Sequence, residues 1–141
     1  MIAVVDSSVV IKWFVGEPGA ERALTLRGQP VGAPELLLAE CANVFWKKVR
    51  LGEYDPADAA LAIRAIERSN ITLSPIRALT SRALQIAQAL DHPAYDCFYL
   101  ALAEQQAVPV VTADRRLVQT VISKPDVTNA RVVSLDQWQE A

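Results

Sequence analysis

Four carboxylates in this chain stand where a charge needs a reason. Asp6 ends the apolar run "IAVV" (2–5), and Glu40 sits inside "LLLAECANVFW" (36–46), where the only other polar side chain is Asn43. Asp96 interrupts "AYDCFYLALA" (94–103), and Asp114 follows "VPVVT" (108–112). An unpaired charge buried in such surroundings costs several kcal/mol, so each acid needs a partner, a proton or water. Each also has an ordinary explanation. Asp6 and Asp114 stand where an aspartate caps a helix by accepting backbone N–H bonds. Glu40 can pair with Lys47 or Lys48, or face water, and Asp96 falls early enough in a helix to be favoured by its dipole.

Taken together, the four point to a different chemistry. Two carboxylates 4 Å apart repel by roughly 4 kcal/mol at an effective dielectric near 20, and four of them multiply the pairs. Such a cluster calls for protons or a cation. The donors are all oxygen, His92 is the only histidine, and Cys41 and Cys97 lack paired ligand spacing, which favours Mg2+ or Mn2+ over zinc. A cation held by carboxylates can orient a phosphodiester and acidify the attacking water.

The elements that must position these acids alternate in type. Short β-branched runs at 2–5, 30–34, 71–73, 108–112 and 131–135 read as strands. Between them lie helical patterns: 7–14 with a serine cap, a second helix within 16–26, 34–52 opened by Pro34, and 55–69 capped by Asp55. Further helices are expected over 75–90 (with Leu84 among its apolar positions), 92–106 and 115–122. Alternation of this kind implies an α/β fold with a parallel sheet covered on both faces. In such sheets ligands bind at the carboxyl ends of the strands where strand order reverses, and Asp6 and Asp114 each follow a strand. The 141 residues show no repeat or linker and are expected to form one domain, 1–141.

Composition narrows the setting. The chain is 52% hydrophobic and 21% charged, which argues against disorder. No apolar run approaches the roughly 20 residues of a membrane span. The N-terminus has neither a basic start nor an unbroken apolar centre, so a cytoplasmic location without membrane association is expected. The net charge of −2 does not exclude a nucleic-acid partner, because setting four clustered acids aside leaves the remainder positive. Cys41 and Cys97 read as buried small hydrophobes.

The segments "VVDSSVVIKWF", "LLLAECANVFWK" and "YDCFYLALAEQQAVPVVTADRRL", in this order and spacing, resemble PIN-domain ribonucleases, specifically the VapC-type toxins of bacterial toxin–antitoxin pairs. The resemblance covers nearly the whole chain. It implies a five-stranded parallel sheet in order 3-2-1-4-5, flanked by helices. It implies that Asp6, Glu40, Asp96 and Asp114 are the catalytic, metal-binding acids, with Ser8, Thr112 and Asn43 supporting them. It further implies Mg2+-dependent cleavage of single-stranded or looped RNA, a homodimer, and inhibition by a small antitoxin seated in the groove by the site.

Lys12, Lys47, Arg115 and Arg116, with Lys48 and Arg50, are candidates for touching RNA phosphates, and several are equally well explained as exposed helix ends. Trp13, Phe14, Phe45 and Trp46 read as core or groove wall rather than base-stacking platforms. Two rivals stand beside the nuclease. An aspartyl-phosphate enzyme of the haloacid-dehalogenase or receiver type also places an aspartate after its first strand, although the dehalogenase pattern wants an acid where Ser8 stands. A binding module that retains the fold without catalysis is the other.

Overall fold

The structure is a computed structural model that describes residues 1–139. Five short strands, β1 (Ala3–Val5), β2 (Val31–Pro34), β3 (Thr72–Ser74), β4 (Val110–Thr112) and β5 (Val132–Ser134), form one sheet in the order β3-β2-β1-β4-β5. Every pairing is parallel. The α/β class and the expected strand order are therefore what the chain adopts. β1, β2 and β4 are buried along their whole length, which is why they read as continuous apolar runs instead of alternating ones. Strands of three or four residues make few ladder bonds. Stability comes instead from the core, in which side chains from Ala3 to Leu135 are buried together. Each fully buried Val or Leu contributes roughly 1.5–3 kcal/mol.

Among the described residues, seven helices flank the sheet: α1 (Ser7–Val10), α2 (Ala20–Leu24), α3 (Leu36–Arg50), α4 (Pro56–Glu67), α5 (Thr80–Leu90), α6 (Ala94–Gln106) and α7 (Arg115–Ser123). Among the described residues no helix is long and apolar enough to cross a membrane. α6 lies on α5 and reaches β1, β2 and β4, so its first turns come to the carboxyl end of the sheet.

Several local expectations change. The helix after β1 is capped by Asp6, whose side chain accepts from Val9 N, and not by a serine. It gives way at Ile11–Trp13 to a 3-10 turn. Pro34 does not open α3; it ends β2 opposite Ser74, and Glu35 N donates to Ser74 O, so the helix begins two residues later. Proline is tolerated there because a strand's last residue can forgo its ladder donor. α6 starts at Ala94, with Pro93 before it, because proline fits a helix entrance and His92 lies outside. Leu84 is 53% exposed and Trp46 59% exposed, so neither is core. Trp46 instead carries the Arg50 guanidinium 5.6 Å from its ring centroid. Trp13 and Phe45 are buried as expected. Cys41 and Cys97 are free, buried thiols, and burial pushes both up to about 12.

Candidate active site

The register of the two central strands builds the centre of the site. Val5 pairs with Val111, so the next residues along, Asp6 and Thr112, emerge side by side at the carboxyl end of the sheet. Thr112 Oγ1 donates to Asp6 Oδ2 at 2.5 Å, and Ser8 Oγ donates to Asp6 Oδ1 at 2.5 Å. Val9 N reaches the same Oδ1 at 3.3 Å. Asp6 is only 5% exposed. Burial pushes its carboxyl up to about 6, against the hydrogen bonds from Ser8 and Thr112, and the charge of Asp96 adds to the rise. The cap and the site are one residue: Asp6 starts α1 and sets its carboxylate between Thr112 and Ser8.

α3 brings Glu40 from the β2 side. Its neighbours Leu37 and Cys41 are buried, which turns Glu40 to the edge of the core. Tyr99 Oη donates to Glu40 Oε1 at 2.5 Å, and this phenol occupies the place expected for Lys47 or Lys48. Burial raises the Glu40 carboxyl above its ordinary value; Tyr99 opposes the rise and the Asp96 charge adds to it. Burial likewise raises the Tyr99 phenol, with Glu40 adding to the shift, so it stays a donor. Asp96, in the first turn of α6, has Oδ2 2.7 Å from His92 Nε2.

Asp6, Glu40 and Asp96 thus share one electrostatic field, in which the charge of Asp96 disfavours ionisation of both others. Asp114 joins through the backbone: its N–H donates to Thr112 Oγ1 at 3.0 Å, the oxygen that bonds Asp6. The Asp114 side chain caps α7, with Oδ1 accepting from Arg116 N at 2.9 Å and Leu117 N at 3.4 Å. Ser8 ties the two sides together, since Ala113 N donates to its Oγ at 2.9 Å. Asn43 is exposed on α3.

Among the described residues no three His, Cys, Asp or Glu side chains stand close enough together to hold a metal ion as they are. The donor chemistry nevertheless suits a hard cation. All four acids offer oxygen, Asp6 and Glu40 both feel the charge of Asp96, and among the described residues none is in an ion pair with lysine or arginine. Tyr99 and His92 are the partners that reasoning from sequence missed. The spacing carried a signal only for His92, which precedes Asp96 by four residues; the partner of Tyr99, Glu40, lies 59 positions away.

Of the candidate cations, Lys12 is largely covered and Lys48 lines a cleft of about 350 Å3 beside Ser8 and Asp114. Lys47 and Arg116 are exposed, and Arg115 is 85% exposed, 3.7 Å from Asp136.

The profile of the PIN domain family matches residues 3–122. Ribonuclease VapC12 of Mycobacterium tuberculosis is 29% identical over 118 residues, which make up 83% of this chain and 90% of that protein. The crystal structure of PAE2754 from Pyrobaculum aerophilum superposes with a TM-score of 0.72 at 21% identity, covering 96% of this chain and 85% of that one. A toxin–antitoxin complex from Klebsiella pneumoniae gives 0.62 at 16% identity, covering 94% and 97%. With the profile spanning most of its length, and with the acids gathered at the reversal of a 3-2-1-4-5 sheet, the chain belongs to the PIN domain family.

Proposed function

We propose that this protein is a Mg2+-dependent endoribonuclease of the VapC type, acting on single-stranded or looped RNA and inhibited by a cognate antitoxin. In this reading Mn2+ can replace Mg2+, and the protein works in the cytoplasm as a homodimer. One observation carries it: Asp6 and Glu40 both stand within the field of the Asp96 charge at the strand-order reversal, with no lysine or arginine paired to any of the three among the described residues. The names of the relatives, a ribonuclease and a toxin–antitoxin complex, favour the same reading.

Asp6, Glu40, Asp96 and Asp114 are the residues that would hold the cation. When bound, it supplies Lewis acidity toward a phosphodiester and a bound water of lowered pKa. The chain's own part is positional. Ser8 and Thr112 fix the plane of the Asp6 carboxylate, Tyr99 fixes Glu40, and His92 fixes Asp96. Hydroxyl and imidazole partners hold those carboxylates without supplying a lysine or arginine charge of their own, so the negative field remains for an incoming cation. An aspartyl-phosphate mechanism of the dehalogenase type is less well served, because Ser8 stands where that pattern wants its second acid.

The test is cleavage of a fluorescent single-stranded RNA by the purified protein. Activity with Mg2+ or Mn2+, its loss in EDTA, and its loss in a folded Asp96→Asn variant are expected. Undiminished cutting in excess chelator overturns the metal mechanism. A folded Asp96→Asn protein that cuts at the wild-type rate overturns the site.

A further inference from the structure

The cleft beside Ser8 and Asp114 has an occupant of its own. Its far wall carries Lys12, Glu17 and Lys48. Lys12 Nζ donates to Glu17 Oε1 at 3.2 Å and to Pro18 O at 2.8 Å. Lys48 Nζ stands 3.7 Å from the other oxygen, Oε2, and 4.0 Å from Glu53. One carboxylate therefore lies between two ammonium groups, with one oxygen turned to each. The two lysine side chains are 14% and 20% exposed and Glu17 is 32% exposed, an inversion of the usual order in which lysine heads seek water. Two cations thus flank the Glu17 carboxylate, with Glu53 at the outer side of Lys48, and both lysines line the cleft that Ser8 and Asp114 share.

That geometry is what a phosphodiester would meet. Its two non-bridging oxygens present the same spread of negative charge as the Glu17 carboxylate, and the cleft connects the position directly to Asp114 and Ser8. An RNA strand approaching the acids is repelled by them and needs local cations to hold it. We propose that Lys12 and Lys48 form a phosphate subsite for the RNA strand beside the catalytic acids, and that Glu17 fills this subsite in the free protein and is displaced when RNA enters. The inference rests on the endoribonuclease reading and adds to it a residue that tunes substrate affinity. Glu17 belongs to a loop that can yield: Gly16 precedes it, and Gly19 follows with φ +91. Lys48, rather than its exposed neighbour Lys47, is the α3 cation of the subsite, because adjacent helical positions point about 100° apart.

The experiment is equilibrium binding of a fluorescent single-stranded RNA in EDTA across a salt series, beside thermal melts and Mg2+-dependent cleavage. Glu17→Gln is expected to bind RNA severalfold more tightly than wild type. Its plot of log affinity against log salt should keep the wild-type slope, because the same phosphate is neutralised in both proteins, whereas Lys48→Gln should lower the slope by about 0.7. Lys48→Gln in the Glu17→Gln background should abolish the gain in affinity. Glu17→Asp, which keeps the charge and shortens its reach, should show a smaller gain of the same sign and serves if Glu17→Gln fails to fold. Unchanged or weaker binding in the folded Glu17 variants overturns the subsite, and with wild-type cleavage intact it leaves the nuclease standing. Absence of cleavage in the wild type, with the gain in binding present, would overturn the nuclease and keep the subsite.

Discussion

Helix α6 carries a carboxylate near each end, and the two ends treat charge in opposite ways. In the first turn Asp96 faces Asp6 and Glu40, where partners are hydroxyls and one imidazole. Eight residues on, about 12 Å along the axis, Glu104 accepts two bonds from Arg82, at 2.7 and 2.9 Å, and a third from Thr128. Arg82 holds the Glu104 carboxyl below its ordinary value, whereas burial pushes Asp6 up to about 6. Hydrogen bonding does not distinguish the ends, since among the described residues no buried side-chain nitrogen or oxygen lacks a partner. Charge does. One end joins α5, α6 and the 127–128 segment by a neutralised pair, and the other keeps negative charge that only a proton or an external cation can balance.

The sharpest way to break this comparison is Asp6→Asn. Asparagine keeps the shape and can exchange hydrogen bonds with Ser8 and Thr112, but it removes the buried charge. Cleavage should fall by more than about a hundredfold, beyond the 10–100-fold typical of groups that merely support a ligand. The melting temperature without metal should stay level or rise. A variant that unfolds would make Asp6 structural and erase the distinction between the ends.

The pH dependence separates the ends by sign. The Asp6 pKa is raised from 3.8 to about 6, so its folded state favours the proton. Its contribution to stability is fully present below pH 3.8 and is lost as pH rises through about 6. Linkage makes this about 3 kcal/mol. Glu104 runs the other way: its contribution is present above its ordinary value of 4.5 and is lost as pH falls through its depressed folded pKa. In metal-free melts, the advantage of Asp6→Asn over wild type should therefore grow between pH 4 and pH 7. Added Mg2+ should close that gap by stabilising the wild type through mass action. A gap that is flat with pH contradicts the account of Asp6.

What the sequence disclosed, and what it withheld, follows the same division. Alternating strands and helices, and the acids at strand ends, are local patterns, so the α/β class and the positions of Asp6 and Asp114 were legible. The strand order came from likeness to a family, because local pattern does not say which strands pair. Tyr99 and Lys48 were harder. Tyr99 reads as one more apolar helix residue until α6 is laid across β1 and β2, and only then does its hydroxyl meet Glu40, 59 positions away. Lys47 and Lys48 are equivalent in a run of basic residues, and only the rotation of α3 in the fold selects the second. Trp46 shows a related limit: hydrophobicity admits core or groove wall, and the packing of α4 beside α3 makes it groove wall.

A smaller effect is expected at Asp114, whose cap and proposed ligand roles can be pulled apart. Serine retains a capping oxygen, so Asp114→Ser should change stability by only a few tenths of a kcal/mol. It loses the charge, so apparent Mg2+ affinity and turnover should fall at least about tenfold. Thr112→Val removes the donor to Asp6 and the acceptor for Asp114 N but no charge, and should do less damage to turnover than Asp114→Ser. Wild-type cutting by Asp114→Ser across a Mg2+ titration would reduce Asp114 to a cap.

The smallest effect belongs to the neutralised end. Glu104→Gln keeps the bond to Thr128 and removes the charge opposite Arg82, whose side chain is 42% exposed. Water can take up much of the guanidinium's lost partner, so the destabilisation at pH 7 should be about 1 kcal/mol, well under the 3–5 kcal/mol of a fully buried pair. For a chain of this length that is a fall of about 3–5 °C in melting temperature. It should shrink as pH falls below the depressed Glu104 pKa, because the wild type then loses the same charge. Cleavage at temperatures below the melt should match wild type, since nothing at this end touches the acids. Loss of cleavage in a folded Glu104→Gln protein would show that α6 transmits the Arg82 pair to Asp96, and the two ends would then be one site.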